Sequence, residues 1–402
     1  MTTAGGNHRK IKLQNRLLVL KHIATSDGVS RTDIAKLTGL TKMTVSNLVN
    51  DLIDSNLVVE GSGTLEHSAK LGRNPISLTL SASSPCICGV SIKRGRCQIV
   101  LGDLSGKIFE RVIWEDFQNI TKESLVDFIK NGFTSLKQNT SRKIIAVGLS
   151  CIGPIDSVSG VVLNPPFFHG IESLHLVDIV REFTSLPVYL CNDGNAGALA
   201  ELMYGAGRSI SNFAYIHMMY GIGSGYVMEG RGYNGDLGQS GEIGHSTINF
   251  SGPKCSCGNT GCLELYANIA NIRAHIANSA PFYPRSPLTE KSSPSLMDVV
   301  DAANQADSLA VSVLDEYLSY VAHAMTNIIN FLDMSHIILD YSSTSEGTIL
   351  EDILFRKISS SVYHFKSKNM KIIRSQFKGE APLAGSIALV TDMIFNNQLN
   401  FE

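Results

Sequence analysis

Gly241-Glu242-Ile243-Gly244-His245 is closely followed by Cys255-Ser256-Cys257-Gly258-Asn259-Thr260-Gly261-Cys262. Three thiols and an imidazole make a complete tetrahedral ligand set for zinc. A closed set of four is structural, because zinc catalysis keeps one position open for water. The intervening glycines let such a loop fold tightly around an ion. His245, Cys255, Cys257 and Cys262 are therefore the candidate ligands of a structural Zn2+. The remaining cysteines, Cys86, Cys88, Cys97, Cys151 and Cys191, lie in or beside apolar, strand-like runs and read as small buried hydrophobes.

On either side of this loop the pattern is α/β. Residues 144–151, 188–191, 213–218 and 336–339 read as buried strands, with amphipathic helical stretches such as 309–332 between them. This body opens near residue 83 with a hairpin-like pair, 87–92 and 98–104. Residues 279–295, rich in Ser and Pro, read as a mobile loop.

Ahead of residue 83 the periodicity changes. Ile11, Leu13, Leu17, Leu20 and Ala24 recur at helical spacing and predict a first helix. Ser30 offers an N-cap oxygen, with Asp33 three residues on, to a short second helix that buries Ile34 and Leu37 and stops at Gly39. Thr41 caps a third helix with Val45, Leu48, Val49, Leu52 and Ile53 on its inner face. Its other face, Lys42, Thr44, Ser46, Asn47 and Asn50, is small and hydrogen-bonding, which suits a helix that reads base edges in a major groove. Residues 57–60 and 76–80 then read as two strands around a polar tip at 61–70, which together make a wing. Within it Gly72-Arg73-Asn74-Pro75 can carry an arginine to a minor groove. A winged helix-turn-helix domain over residues 1–82 is expected. Its candidate contacts to double-stranded operator DNA are Arg31, Thr41, Lys42, Thr44, Ser46, Asn47 and Arg73.

Charge agrees with a DNA-facing end. Residues 1–80 hold ten Lys and Arg against six Asp and Glu, a balance of +4, so the formal total of −2 leaves −6 on the rest. A chain of 402 residues exceeds what one core organises, and two or three domains are expected. No apolar run approaches a membrane span, and the start of the chain lacks the apolar core of a secretory signal, which points to the cytoplasm and to no membrane partner.

Three runs now combine: Glu242-Ile243-Gly244-His245, the Cys-x-Cys-Gly-x-x-Gly-Cys-x-Glu pattern ending at Glu264, and Asn192-Asp193-Gly194-Asn195-Ala196. Together they resemble the ROK family of repressors and sugar kinases, and with the winged helix in front the whole chain resembles its transcriptional-regulator branch. The resemblance implies an actin-like (ribonuclease H-like), two-lobed sugar-kinase fold behind the winged helix. A first α/β lobe would span 83–194, completed by a C-terminal helix at 384–400, and a second would span 195–383 with the zinc loop and a dimerisation surface. It also implies a monosaccharide effector held by Gly153, Pro154, Asn192, Asp193, Glu242, His245 and Glu264, with His245 ligating zinc through its other nitrogen. The chemistry suits a sugar, since carboxylates, amides and imidazole satisfy several hydroxyls at once. Asn164-Pro165-Pro166-Phe167-Phe168-His169-Gly170 is the candidate pocket wall. Gly194 is a local departure, at a position where the family often has another small residue.

The kinases of the family open with Asp-x-Gly-Gly-Thr in the first hairpin, where glycines let backbone amides approach phosphates. This chain has Ser91-Ile92-Lys93-Arg94-Gly95 there, and Asp340-Tyr341-Ser342 where the kinases have a glycine triplet. Only Gly221-Ile222-Gly223-Ser224-Gly225 still looks suited to phosphate. Sugar binding without phosphoryl transfer is therefore expected, with Asp193 at the kinases' general-base position serving as a hydrogen-bond acceptor. The expected protein is a sugar-responsive repressor of carbohydrate-utilisation genes, working as a homodimer or dimer of dimers on an inverted repeat. A working ATP-dependent sugar kinase is the alternative, and a scaffold that docks another protein is a third reading.

Overall fold

The computed structural model describes residues 8–26, 28–61, 76–115, 120–165, 168, 170–219 and 221–401. Three helices come first: α1 (His8–Ala24), α2 (Arg31–Thr38) and α3 (Lys42–Asp54). The expected caps form. Ser30 Oγ accepts from the Asp33 amide at 3.2 Å and donates to the Asp33 carboxylate at 2.6 Å, and Gly39 closes α2 at φ +71°. Thr41 Oγ1 accepts from the Thr44 amide at 3.1 Å to start α3. Val45, Leu48, Val49 and Leu52 are buried on α3, as are Leu17, Leu20 and Ile34 on the two helices that pack against it. Three expected core residues lie outside this cluster. Ile11 is 47% exposed, Leu13 38% and Leu37 61%, because Ile11 and Leu13 lie in the opening turns of α1, ahead of the covered Leu17 and Leu20, and Leu37 sits where α2 ends.

The strands β1 (Val58–Gly61) and β2 (Ser77–Leu80) pair antiparallel, with Val58 opposite Leu80 and Gly61 opposite Ser77. The wing tip beyond Gly61, and with it Gly72, Arg73, Asn74 and Pro75, lies outside the described residues.

The chain continues through β3 (Cys86–Lys93), β4 (Arg96–Gly102), β5 (Ile108–Glu115), α4 (Lys122–Asn139) and β6 (Ile144–Cys151). A short pair, β7 (Ile155–Asp156) and β8 (Val161–Val162), precedes α5 (Leu176–Arg181) and β9 (Val188–Asn192). The five longer strands form one sheet in the order β5-β4-β3-β6-β9. Every residue of β3 is buried, which is why its sequence runs apolar without alternation. Burial pushes the Cys86 thiol up to about 11 and the Cys191 thiol up to about 12, so both stay protonated and inert, as packing cysteines do.

Next come α6 (Asp193–Tyr204), β10 (Phe213–Met218), β11 (Ile222–Met228) and β12 (Arg231–Tyr233). They are followed by α7 (Ile269–Ser279), α8 (Leu296–Asn304), α9 (Ser308–Leu332), β13 (His336–Asp340), α10 (Ile349–Ser361), β14 (Lys371–Arg374) and α11 (Ala381–Phe395). The second sheet has the order β12-β11-β10-β13-β14, parallel from β10 through β13 to β14 and antiparallel on the other side. Strand β10 is covered on both faces. Ala214, Ile216 and Met218 enter a core with residues of α7 to α10, while Phe213 and Tyr215 pack with Ala198 and Ala200 of α6 and with Ala381 and Ala384. Residues 279–295 are ordered rather than loose: they hold two 3-10 turns, Leu288 is 1% exposed, and Ser286 Oγ donates to Asp307 at 2.9 Å. Ser and Pro act there as cap and turn residues.

By the density of its contacts the chain divides into two units, one of Met1–Leu149, His175–Leu190 and Ser386–Glu402, the other of Ser150–Leu174 and Cys191–Gly385. Every residue expected to touch sugar or metal lies in the second. Among the described residues no helix is long and apolar enough to cross a membrane.

A buried acid in the second unit sets a pH dependence. Glu201 of α6 is fully buried, its Oε2 accepts from the Ala206 amide at 2.8 Å, and its Oε1 has no hydrogen-bond partner among the described residues. Burial pushes this carboxyl up to about 7, against the pull of bonds from Ser375 and Ala206. The folded carboxyl thus holds its proton to a higher pH than the unfolded one. Stability therefore falls as pH rises from about 4.5 to about 7 and is level above that. Glu201→Gln, neutral throughout, should gain on the parent by roughly 3 kcal/mol between pH 4.5 and pH 8. Urea unfolding at both pH values checks this, and a constant gap between the two proteins would show that Glu201 is already ionised in the folded state.

Candidate metal centre and polar site

Residues 255–262 fold back on the segment after His245 as a short antiparallel ladder. The Ile248 amide donates to the Gly261 carbonyl at 2.9 Å, the Leu263 amide to the Ser246 carbonyl at 3.0 Å, and Thr247 is bridged to Cys262. Gly261 is required twice over, by its φ of +65° and because a Cβ there would overlap the Asn249 carbonyl oxygen. The fold-back brings the ligand atoms of His245, Cys255, Cys257 and Cys262 within 4.8 Å of one another. Cys257 Sγ is 3.7 Å from Cys262 Sγ, and Cys255 Sγ is 3.8 Å from His245 Nδ1. A tetrahedral zinc with Zn–S near 2.3 Å sets its sulfurs about 3.8 Å apart, so these four side chains fit the ion. Nδ1 is the imidazole nitrogen beside the thiols, which leaves Nε2 for another partner.

The other expected residues gather next to it. Asn192 caps α6, its Oδ1 accepting from the Gly194 amide at 2.8 Å, and its Nδ2 lies 3.5 Å from Glu242 Oε1. Gly153 sits against both: a Cβ there would come within 2.6 Å of Asn192 Nδ2 and 2.8 Å of Glu242 Oε1. Glu264 Oε1 accepts from the Ile222 amide at 3.1 Å, and the neighbouring Pro154 carbonyl accepts from the Leu163 amide at 3.0 Å. Glu242 keeps an open face to solvent, yet protein surrounds much of its carboxyl. That desolvation, then the negative charge of Asp193, pushes it up to about 7, with Glu264 adding and His245 opposing. Three carboxylates, an amide and an imidazole thus converge on one patch, an arrangement that can bind a polyhydroxylated ligand. Of the expected wall, Pro166, Phe167 and His169 lie outside the described residues, Asn164 and Gly170 are exposed, and Phe168 is buried at 1% exposure.

One strand positions both halves of the patch. The backbones of Gly194 and Gly225 touch so closely that a Cβ on Gly194 would overlap the Ser224 carbonyl and one on Gly225 the Gly194 carbonyl. The departure at Gly194 therefore has a steric reason. Ser224 donates to the Gly241 carbonyl through both Oγ, at 2.8 Å, and its amide, at 3.1 Å, which anchors the residue before Glu242. Asn195, buried two residues into α6, donates to the Ser240 carbonyl at 3.3 Å and accepts from Ser240 Oγ at 3.3 Å. The sequence marks Asn195 only as a motif member, and nothing in it reveals the partner 45 residues away. Gly221-Ile222-Gly223-Ser224-Gly225, expected as a phosphate-friendly loop, is from Ile222 onward the start of β11.

Asp340 and Tyr341 form part of a buried network, with Ser342 half-buried beside them. Asp340, fully buried, accepts from Tyr215 Oη at 2.7 Å and from the Gly379 amide at 2.6 Å, with His217 Nδ1 at 3.6 Å. These bonds and the His217 charge outweigh its desolvation and hold its carboxyl below the usual range. Tyr341 donates to Glu351 at 2.7 Å beneath the Arg374 guanidinium, which itself pairs with both Glu351 oxygens at 2.7 and 3.0 Å.

On the winged helix, Thr41, Lys42 and Asn47 are exposed and Thr44 and Ser46 half-buried. Arg31 is held inside the module. It donates to the Ser46 carbonyl at 3.1 Å, Asn50 Oδ1 at 2.9 Å and Glu60 Oε1 at 2.8 Å, and so braces α3 against β1.

The sequence profile described as ROK family matches residues 87–393, and one described as MarR family matches residues 11–64. The chain belongs to the ROK family. It is 31% identical over 386 residues to the xylose repressor of Bacillus spizizenii, an alignment covering 95% of this chain and 96% of that protein. A solved ROK family transcriptional regulator, a homologue of the E. coli Mlc protein, superposes with a TM-score of 0.76 at 26% identity over 96% of this chain and 98% of that one. The ROK glucokinase of Streptomyces griseus, solved with glucose and AMPPNP, covers 76% of this chain and 98% of its own with a TM-score of 0.64 at 23% identity, a likeness of fold alone. The fold is thus the expected one, that of the actin-like sugar kinases with a winged helix-turn-helix in front.

Proposed function

We propose that this protein is a sugar-responsive, DNA-binding transcriptional repressor of carbohydrate-utilisation genes, acting in the cytoplasm. The observation that carries the reading is the end-to-end likeness to a xylose repressor, winged helix and ROK domain included. Residues 1–82 would hold operator DNA, and the body behind them would bind a monosaccharide and pair two copies on an inverted repeat. In the sugar complex Asn192, Asp193, Glu242 and Glu264 would satisfy hydroxyls, His245 Nε2 would meet another, and Gly153 and Pro154 would let the ring approach. His245, Cys255, Cys257 and Cys262 would hold zinc, which when bound ties the two loop segments together and fixes the imidazole tautomer. Binding without phosphoryl transfer is supported by the commitment of Asp340 and Tyr341 to bonds within the protein and by the burial of Lys93. Sugar would lower DNA affinity by binding the two states of the protein unequally.

The test is fluorescence anisotropy on duplexes from upstream of the protein's own and neighbouring genes, at stated salt, with a sugar panel that begins with xylose. Tight binding that one sugar weakens is the expected result. Sugar-independent binding, or steady ADP release with a sugar and ATP, would sink the proposal.

A further inference from the structure

The recognition helix carries one large apolar side chain where nothing among the described residues calls for it. Met43, the second residue of α3, is 75% exposed. Helical geometry places Met43, Asn47 and Asn50 at i, i+4 and i+7, on one stripe opposite the buried Val45, Leu48, Val49 and Leu52. Along that stripe Asn50 is already engaged by Arg31 at 2.9 Å. At the start of the helix Thr44 is engaged by Thr41, hydroxyl to hydroxyl at 2.8 Å. Met43 and Asn47 are thus the stripe residues that no other described residue of the module engages, and they sit in the N-terminal half of the helix, the part that reaches base edges. Methionine is unbranched and polarizable, so it can settle against an apolar group of varied position. The one apolar group that a base pair shows in the major groove is the C5-methyl of thymine.

Resting on the DNA-binding reading above, we infer that Met43 reads a thymine methyl in each operator half-site, with Asn47 as its polar neighbour on the same stripe. Met43 is then a specificity-determining residue, whereas Arg31 positions the helix that bears it.

The experiment uses the full-length protein. It first selects its own duplex from a randomised library, and each thymine of the selected site is then replaced by deoxyuridine, which lacks only the methyl. One thymine per half-site should show the effect, with wild-type binding weakened about fourfold, the equivalent of one methyl group returned to water. Met43→Ala should bind the thymine and uracil duplexes alike. Met43→Gln, which keeps the length of the side chain, should also lose the methyl dependence. Met43 is exposed, so neither change disturbs the core. If wild type binds its site but no thymine shows the effect, or if both variants keep it, the assignment to Met43 fails while the DNA-binding reading stands. A wild-type protein that selects no sequence overturns both.

Discussion

Cys262→Ser should purify with far less than one zinc per chain and melt on the order of 5–10 °C below the parent, the scale expected when several kcal/mol leave a unit of this size. Of the four candidate ligands Cys262 has the most to lose. It is fully buried, 3.7 Å from Cys257 Sγ, and sits on the ladder that carries the loop back to Thr247. A serine hydroxyl is a poor zinc ligand, and three remaining ligands leave the ion open to water and to loss. Because the ladder runs from His245 to Leu263, its loosening should reach the imidazole and the Glu264 carboxylate together. Sugar affinity should therefore fall along with stability. The measurement is metal content by mass spectrometry alongside a thermal melt. A variant that kept its zinc and melted with the parent would show that the four side chains do not act as one centre.

Asp193→Ala should leave DNA affinity within about twofold of the parent while weakening the sugar response by on the order of 100-fold, since a carboxylate that accepts from two hydroxyls supplies two charge-assisted bonds. Asp193 is the first residue of α6, where the Gly194 amide donates to both Asn192 Oδ1 and Asp193 Oδ1 at 2.8 Å, so the Asn192 cap remains when the Asp193 carboxylate is removed. The local structure should therefore survive. Glu242→Ala serves as a companion, because that carboxyl lies across the patch against Asn192 Nδ2. Titration of sugar into the DNA complex of each variant decides the matter. Release at the parent's sugar concentration in both would place the ligand elsewhere.

Much of this was legible in the residues. Strands 144–151 and 213–218 are found at the expected bounds because both are buried along nearly their whole length, and a run with no polar face has few alternative readings. The caps at Ser30 and Thr41 were legible because they act within three residues of themselves. What stayed hidden depends on distant partners. Asp340 reads in sequence as a lost glycine, and only the fold reveals that Tyr215 and Gly379, 125 and 39 residues away, hold it. The exposure of Leu37 was equally hidden, since periodicity names a face but not where its cover ends. Met43 gives no signal in sequence, since periodicity alone does not separate an exposed methionine from one that caps the core.

The abutment of Gly194 and Gly225 bears on how this protein could come to answer a different sugar. With backbone on both sides leaving no space for a side chain at Gly194 or Gly225, the floor of the patch tolerates almost no drift. The side chains proposed to hold hydroxyls therefore sit on a backbone that has little room to move. If the proposed site is right, a change of sugar preference would fall to the segment after Pro154, where Asn164 and Gly170 face solvent. Swapping that segment between relatives, with the floor left intact, is the shortest route to a new inducer.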